Sequence, residues 1–279
     1  MIGVQLTVLG SGSGGNATLL SDGNTRVLID VGLSYRDVSR RLAQLGIDAT
    51  AIDALVITHA HGDHTKGVRL FSRRHAVPVY ATTTIRDEWG VADVAEWRVL
   101  TPNRSERVKN LQFYPFRIPH DASETIAFRI ETMDGVIGFA TDIGATTDEL
   151  IEQFRDCLVL VVESNHATEL LRVSPYDSAT RSRIASVHGH LSNESLATFV
   201  RHHLGQSVRC IVLAHLSRVN NVPEIAALTC REALAACGRN DVDVVVSSQD
   251  CVTPTVDLGA WTVAPGSNMR PGHQEVLPF

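Results

Sequence analysis

Apolar blocks separated by short polar turns run along the chain, and one order of blocks occurs twice. Val4 to Leu9 is an apolar run that predicts a strand. A second apolar stretch ending near Leu20, then Asp22-Gly23-Asn24, then Arg26-Val-Leu-Ile-Asp30 predicts a hairpin, because Asp-Gly between apolar runs suits a tight turn. Asp134-Gly135 marks a second hairpin. Six residues after each Asp-Gly comes an Asp-x-Gly triplet, Asp30-Val31-Gly32 and Asp142-Ile143-Gly144. Each triplet leads into a helix with a capping box, Ser34 to Asp37 and Thr146 to Glu149. The first helix puts Val38, Leu42 and Leu45 on one face and stops at Gly46; the second aligns Leu150 with Phe154. Both feed a buried strand, Ile52 to Thr58 and Leu158 to Val162, that ends in a histidine-bearing segment. Two hairpin–helix–strand halves therefore present polar ends to one crevice.

Later segments alternate in the α/β manner. A helix from Asn193 to His203 closes at Gly205, and Val208 to Ala214 is a strand. A helix from Pro223 to Cys237 stops at Gly238, and Val242 to Ser248 is another strand. No low-complexity linker divides the chain, so residues 1–258 are expected to form one domain. Residues 259–279, with Pro265-Gly266 and Pro271-Gly272, form a turn-rich tail.

Gly10, Gly12 and Gly15 have the spacing G-x-G-x-x-G after a strand, with Asp30 twenty residues beyond Gly10. That is the outline of a dinucleotide fingerprint. The fingerprint needs a helix straight after the glycines, whose N-terminus holds the pyrophosphate. Here a strand and a hairpin follow, so no dinucleotide cofactor is expected.

Composition narrows the class. Hydrophobic residues make up 44% of the chain, enough for a full core, and no apolar stretch reaches the length of a membrane span. The N-terminus lacks the basic and apolar regions of a signal peptide. The five cysteines are scattered through apolar segments with no C-x-x-C pair, which predicts reduced thiols and a cytoplasmic protein. A net charge of −6 argues against a broad basic surface coating nucleic acid. It leaves room for a nucleic-acid enzyme, because carboxylates that hold metal cations inflate the negative count.

Twelve histidines are the unusual figure, and their clustering gives it meaning. Thr58-His59-Ala-His61-Gly-Asp63-His64 gathers three imidazoles and a carboxylate within six residues, directly after a buried strand. Imidazole nitrogen and carboxylate oxygen suit zinc, manganese or iron, and the absence of thiolate disfavours a purely structural zinc site. So dense a cluster outweighs the plain alternative of a solvated polar loop.

This H-x-H-x-D-H run, with Asp30 upstream and His120, Asp142 and His215 downstream in order, resembles the metallo-β-lactamase superfamily. The resemblance covers about residues 4 to 256. It implies a four-layer αββα sandwich, two mixed β-sheets flanked by helices, with two divalent metal ions per chain. Zinc or manganese is expected, and iron is compatible. His59, His61 and His120 would hold one ion, Asp63, His64 and His215 the other, and Asp142 would bridge them. Asp30 would steady the site from behind; Asp63 and Asp30 are counted with the catalytic residues. The glycine-rich stretch becomes the turn between the first two strands, passing close to the metal crevice.

Four further segments are similar to the YycJ-type branch of that superfamily: Ser11-Gly-Ser-Gly-Gly-Asn16, Glu163-Ser-Asn-His166, Gly189-His-Leu-Ser-Asn193 and His215-Leu-Ser-Arg-Val-Asn-Asn221. The branch implies a metal-dependent DNA exonuclease. His190 is similar to the proton-donating histidine of the RNase Z and β-CASP nucleases; the alternative is a loop histidine that bonds only its neighbours. From Asp142 to His190 is 48 residues, too short for an inserted β-CASP domain. From His120 to Asp142 is 22, leaving no room for the RNase Z arm.

Ser192 and Asn193 either receive a phosphate at a helix N-terminus or act as plain caps. Arg218 and Asn220 follow His215 closely and are candidates for phosphate contact, and His166 for substrate contact or ligand support. For Arg36, Arg40, Arg41, Arg69, Arg73, Arg74 and His75, solvated helix faces outrank a nucleic-acid rim. His188, His202, His203 and His273 read as ordinary. The expected function is dinuclear-metal-dependent hydrolysis of phosphodiesters at DNA ends. The alternative is a small-molecule hydrolase acting on a thioester, lactone or cyclic phosphodiester. A non-catalytic binding scaffold would have no need of a complete ligand set.

Overall fold

The repeat in the sequence becomes a repeat in topology. A computed structural model describes residues 3–90 and 93–261. The chain opens with strands β1 (Gln5–Gly10), β2 (Ala17–Ser21), β3 (Arg26–Ile29), β4 (Ala54–Val56), β5 (Val79–Ala81) and β6 (Trp97–Val99). Strands β7 (Glu106–Val108), β8 (Leu111–Ile118), β9 (Thr125–Thr132), β10 (Gly135–Ala140), β11 (Val159–Glu163), β12 (Cys210–Ala214) and β13 (Asp243–Val246) follow, and β14 (Val256–Asp257) comes last. The helices are α1 (Tyr35–Gln44), α2 (Gly62–Thr65), α3 (Val68–His75), α4 (Thr83–Trp89) and α5 (Asp148–Phe154). Then come α6 (Thr168–Arg172), α7 (Ser178–Ile184), α8 (Asn193–His203) and α9 (Pro223–Ala236).

One mixed sheet has the order β14-β1-β2-β3-β4-β5-β6 and the other β13-β12-β11-β10-β9-β8-β7. Each contains one copy of the repeat. β2 and β3 pair antiparallel as a hairpin and β3 pairs parallel with β4; β9 and β10 pair antiparallel and β10 pairs parallel with β11. The glycine-rich stretch turns from β1 into β2, so a strand and not a helix follows it.

Alternation along the strands builds the layers. Val159, Val161, Val212 and Ala214 join residues of the first sheet, among them Leu6, Val27 and Leu28, in one core cluster. Their neighbours Leu160, Val162, Ile211 and Leu213 face the other way, into a second core with Leu150 of α5, Phe199 of α8 and Ala233 of α9. Val38 and Leu42 of α1 and Phe71 of α3 belong to the first core, with the strands of the first sheet. The result is the expected αββα sandwich. No helix among the described residues is long and apolar enough to cross a membrane. The five cysteines are free, and burial pushes the thiols of Cys157, Cys210 and Cys230 up to about 12.

Some boundaries differ from the sequence expectation. The second capping residue is Thr147, whose side chain accepts from Leu150 N, and not Thr146. The fold also runs past residue 258: Leu258 N donates to Val4 O at 2.8 Å, Leu258 is fully buried, and Leu258–Trp261 forms a helical turn. The rest of the tail, including His273, lies outside the described residues.

Three loops are laced together under the crevice. Asn16 N donates to Asp63 O at 2.8 Å, Gly32 N to Asn16 O at 2.7 Å, and Val31 N to His64 O at 2.8 Å. A Cβ at Gly32 would stand 1.5 Å from Asp63 O, and one at Gly15 (φ +143°) 2.6 Å from Gly32 O. Only hydrogen fits between these backbones. Gly32→Ala is expected to destabilise the protein by about 3 kcal/mol or more, roughly 6–12 °C in melting temperature for a chain of this size. Thermal unfolding followed by circular dichroism checks this; an unchanged midpoint would mean that the loops can part freely.

Candidate metal centre

The candidate ligands lie at or beyond strand ends on one edge of the sandwich. Asp30 follows β3, His59 to His64 follow β4, His120 follows β8, Asp142 follows β10 and His215 follows β12. His61 is the residue before α2, a single turn that carries Asp63 and His64. Asp30, Asp142 and His215 each adopt a left-handed backbone, with φ of 57°, 58° and 55°. Non-glycine residues pay strain for that conformation, and it bends each side chain away from its strand at the edge.

The side chains gather as the spacing suggested. His59, His61 and His120 bring donor atoms within 4.8 Å of one another, and so do Asp63, His64 and His215. Asp142 reaches both groups: Oδ2 lies 3.0 Å from His64 Nε2, and Oδ1 lies 3.6 Å from His120 Nε2. Ligands at about 2.1 Å around a tetrahedral cation stand about 3.4 Å apart. His64 Nε2 and His215 Nε2 lie 3.6 Å and 3.5 Å from Asp63 Oδ2, which matches that spacing.

The other ring nitrogens are held from behind. His64 Nδ1 bonds Asp30 Oδ2 at 2.7 Å, His59 Nδ1 bonds Thr58 Oγ1 at 3.0 Å, and His120 Nδ1 bonds Gly189 O at 2.9 Å. His215 Nδ1 bonds Glu163 Oε1 at 2.8 Å. With Nδ1 occupied, Nε2 is the nitrogen turned to the cluster. His59 Nε2, His215 Nε2 and Asp142 Oδ2 are buried and make no hydrogen bond. Acceptors crowded together without donors need positive charge between them, so the donor set fits a divalent cation.

The electrostatics carry the same demand. Burial raises the Asp142 pKa, but His215 and His64 outweigh it and hold the carboxyl well below the usual range. Burial lowers His64, yet Asp142 and Asp30 lift it to about 10. His215 is likewise lifted well above its usual value, against burial, chiefly by Asp142. Burial and the neighbouring His64 push His59 well below the imidazole range, leaving a neutral ligand.

Other candidates separate by position. Asp30 spends its oxygens on Thr58 N, Thr58 Oγ1 and His64 Nδ1, so it positions His64 and faces no reacting atom. His190 joins the cluster: its Nδ1 bonds Glu163 Oε1 at 2.9 Å, and its ring centre lies 5.1 Å from His120 and 5.2 Å from His215. Ser192 is the cap of α8, accepting from Ser195 N. Asn193 is buried, paired through its amide with Asn221 and bonded by Ser164 Oγ, so it is not free for substrate. Asn220 and His166 are also buried. Arg218 pairs with Asp250, and no described bond links it to the cluster. Of the arginines on helix faces, Arg69 and Arg73 pair with Asp93 and Arg40 pairs with Asp37, all at the surface, whereas Arg41 is not solvated: it is buried on Leu9 O and Gln249 O.

Glu163 opens a segment that sequence reasoning named without giving this acid a role of its own. Fully buried at the end of β11, it receives His190 and His215 on Oε1 and the amides of Ile143 and Leu191 on Oε2. Burial raises its pKa, but His190 and the bonds from His190 and His215 hold it down at about 2. The signal was an acid closing the apolar run Leu-Val-Leu-Val-Val-Glu. Ser11 and Asn16 were missed as contacts too: His215 N donates to Ser11 Oγ at 2.8 Å, and Asn16 Nδ2 lies 3.0 Å from His64 Nε2.

Strand-end loops of an αββα sandwich gathering histidine and aspartate in this way define a metal-dependent hydrolase. Residues 25–216 match the beta-lactamase superfamily domain, and the chain belongs to that superfamily. Exodeoxyribonuclease WalJ of Streptococcus pneumoniae serotype 2 is 29% identical over 266 residues, covering 92% of this chain and 99% of WalJ. Exodeoxyribonuclease YycJ of Bacillus anthracis is 27% identical, covering 85% of this chain and 91% of YycJ. Among solved structures, the metallo-beta-lactamase fold protein YhfI of Bacillus subtilis superposes with a TM-score of 0.69 at 15% identity, covering 90% and 98% of the two chains.

Glutamine cannot replace Glu163 without opposing either two imidazole N–H groups or two backbone N–H groups. Glu163→Gln is therefore expected to fold but to bind metal about 10- to 100-fold more weakly, as loss of a ligand's supporting carboxylate does. Competition titration against a chromophoric chelator measures this. Wild-type affinity would mean that Glu163 does not hold His215.

Proposed function

We propose that this chain is a phosphodiesterase that acts on DNA ends, an exonuclease, with two divalent ions, zinc or manganese, in its metal centre. The observation that carries the proposal is the His190–Glu163 pair beside the metal ligands. A phosphodiester expels a poor leaving group, an alkoxide oxygen, which needs a proton; thiolates and similar leaving groups do not. Relatives matching nearly the whole chain are named exodeoxyribonucleases, which supports DNA as the substrate. A reducing, cytoplasmic setting is part of the same proposal and agrees with five free thiols.

His59, His61 and His120 would hold one ion and Asp63, His64 and His215 the other, with Asp142 between. When bound, the ions supply Lewis acidity toward the phosphate oxygens and make the attacking water more acidic. Asp63, the partly exposed carboxylate of the loop, orients that water and takes its proton. His190 Nε2 stands ready to protonate the leaving 3′-oxygen, because Nδ1 is fixed on Glu163. Burial lowers the His190 pKa, but Glu163 and Asp142 lift it above the usual imidazole value, which keeps the donor form populated near neutral pH. Asp30 and Glu163 hold the rings in register.

After reconstitution with zinc or manganese, elemental analysis is expected to find close to two ions per chain. Asp142→Ala should remove both, since both groups of donors meet at its carboxylate. Trace metal in the reconstituted wild type would overturn the assignment.

His190→Ala should keep its metal and lose roughly 10²- to 10⁴-fold in rate on end-labelled DNA, the usual worth of a general acid. The loss should shrink greatly on a nitrophenyl phosphodiester, whose leaving group departs without a proton. Equal losses on both substrates would make His190 a positioning residue. Turnover of a thioester assayed in parallel, with none on DNA or the nitrophenyl diester, would favour the small-molecule alternative.

A further inference from the structure

The mouth of the cluster carries a carboxylate that no ligand group uses. Asp121 directly follows His120, and its Oδ1 lies 3.1 Å from His120 Nε2 and 3.9 Å from His61 Nε2. Its Oδ2 accepts a charge-assisted bond from Arg183 Nη1. Asp121 is 25% exposed and Arg183 55%, so the pair sits where the cluster opens to solvent. Among the described residues, Arg183 is the cation whose ion pair reaches a carboxylate touching the histidines.

Arg183 is tied to the reacting groups through its backbone. It lies in the last turn of α7, and the next residue, Ile184, accepts from His190 N at 2.9 Å. The same loop supplies Gly189 O to His120 Nδ1. The guanidinium therefore springs from a segment that also fixes His190 and His120.

Asp63 and Asp121 present partly exposed carboxylates beside the histidines. An entering phosphodiester is an anion: bound metal ions would attract it, these carboxylates repel it, and a guanidinium beside them offsets the repulsion. A guanidinium fits phosphate as well as carboxylate, bidentately in either case. An exposed ion pair contributes little to stability, so exchanging its acceptor costs little. We infer that Arg183 is a phosphate-seating residue, parked on Asp121 in the free protein and transferred to the substrate phosphodiester when it enters. The inference rests on the phosphodiesterase function proposed above. It adds a cation to the site and gives Asp121 the task of holding that cation until phosphate arrives.

The test uses metal-loaded wild type, Arg183→Gln, Asp121→Asn and the double variant. The probes are fluorescein-labelled oligothymidylate, assayed for kcat and KM, and inorganic phosphate, titrated by calorimetry; metal content is measured on each protein. Arg183→Gln should raise KM about 10-fold with a smaller change in kcat, and should lower the salt dependence of binding by about one phosphate contact. Asp121→Asn frees the guanidinium and should lower KM. The double variant should bind better than Arg183→Gln, because the unpaired Asp121 carboxylate no longer repels phosphate.

A purely structural ion pair gives the opposite pattern: either single variant breaks the same bridge, and both raise KM alike. That result overturns the inference, as does loss of metal in Asp121→Asn, which would make Asp121 a ligand. Calorimetry separates this inference from the function beneath it. Phosphate binding that weakens at least fivefold in Arg183→Gln, in a protein that cleaves no phosphodiester, keeps the seat and removes the nuclease function. Cleavage of DNA with binding indifferent to Arg183 does the reverse.

Discussion

Asp142 and Glu163 are carboxylates buried completely at the ends of β10 and β11, and the surrounding structure is arranged to answer their charge. Unpaired carboxylates in so apolar a place would be strongly destabilising. His64, His190 and His215 converge on them from three separate loops. Each imidazole is in turn fixed by its other contacts, and the loops are fixed by the strands that they leave. The centre is thus a charge problem solved by the fold. A cation between the groups completes the solution, whether a proton or a divalent metal ion.

The two halves of the sandwich share this work unequally. In the first, the acid after β3, Asp30, receives Thr58 N and Thr58 Oγ1 and orients His64 from outside the cluster. In the second, the matching acid after β10, Asp142, points into the cluster, and Glu163 at the end of β11 takes over the supporting role. Ile143 N donates to Glu163 much as Thr58 N donates to Asp30. One half of the repeat carries the histidine loop, and the other carries Asp142, which reaches both groups of histidines, and the segment of Glu163 that holds His190 and His215.

What the sequence made legible follows from how local each signal is. The hairpins at Asp22 and Asp134, helix α8 and the histidine loop rest on contacts within a few residues, and they stand where the spacing put them. The edges of the sheets were not read. β5, β6 and β7 are three residues long, and β8 carries Pro115, which normally argues against a strand. β7 pairs with β8 only through Phe113, so Pro115 sits beyond that pairing and its missing N–H costs no bond to β7. The ligands themselves were legible because imidazoles have few reasons to cluster. Of their supports Asp30 was legible; Glu163, Ser11 and Asn16 were not, as they act across 52, 204 and 48 residues. Burial of the candidates after His190 and His215 was not legible for a related reason: Asn193 looks available in a polar stretch, but its amide is consumed by Ser164 and Asn221.

The lacing of the glycine-rich stretch bears on how the protein acquires its centre during synthesis. Ser11 meets His215, Gln249 clamps Gly14 N and Gly15 O, and β1 pairs with β14 at Leu6 and Val256. Strand β1 therefore waits for nearly the whole described chain before its loop is fixed. The histidine loop meets Asn16, Asp30 and Val31 from earlier in the chain, but its partners Asp142 and His215 come much later, and contacts of such long separation form slowly. Metal capture is consequently a property of the completed sandwich. A chain that ends before β12 would hold the histidine loop without His215, and so without the donor that completes its second group.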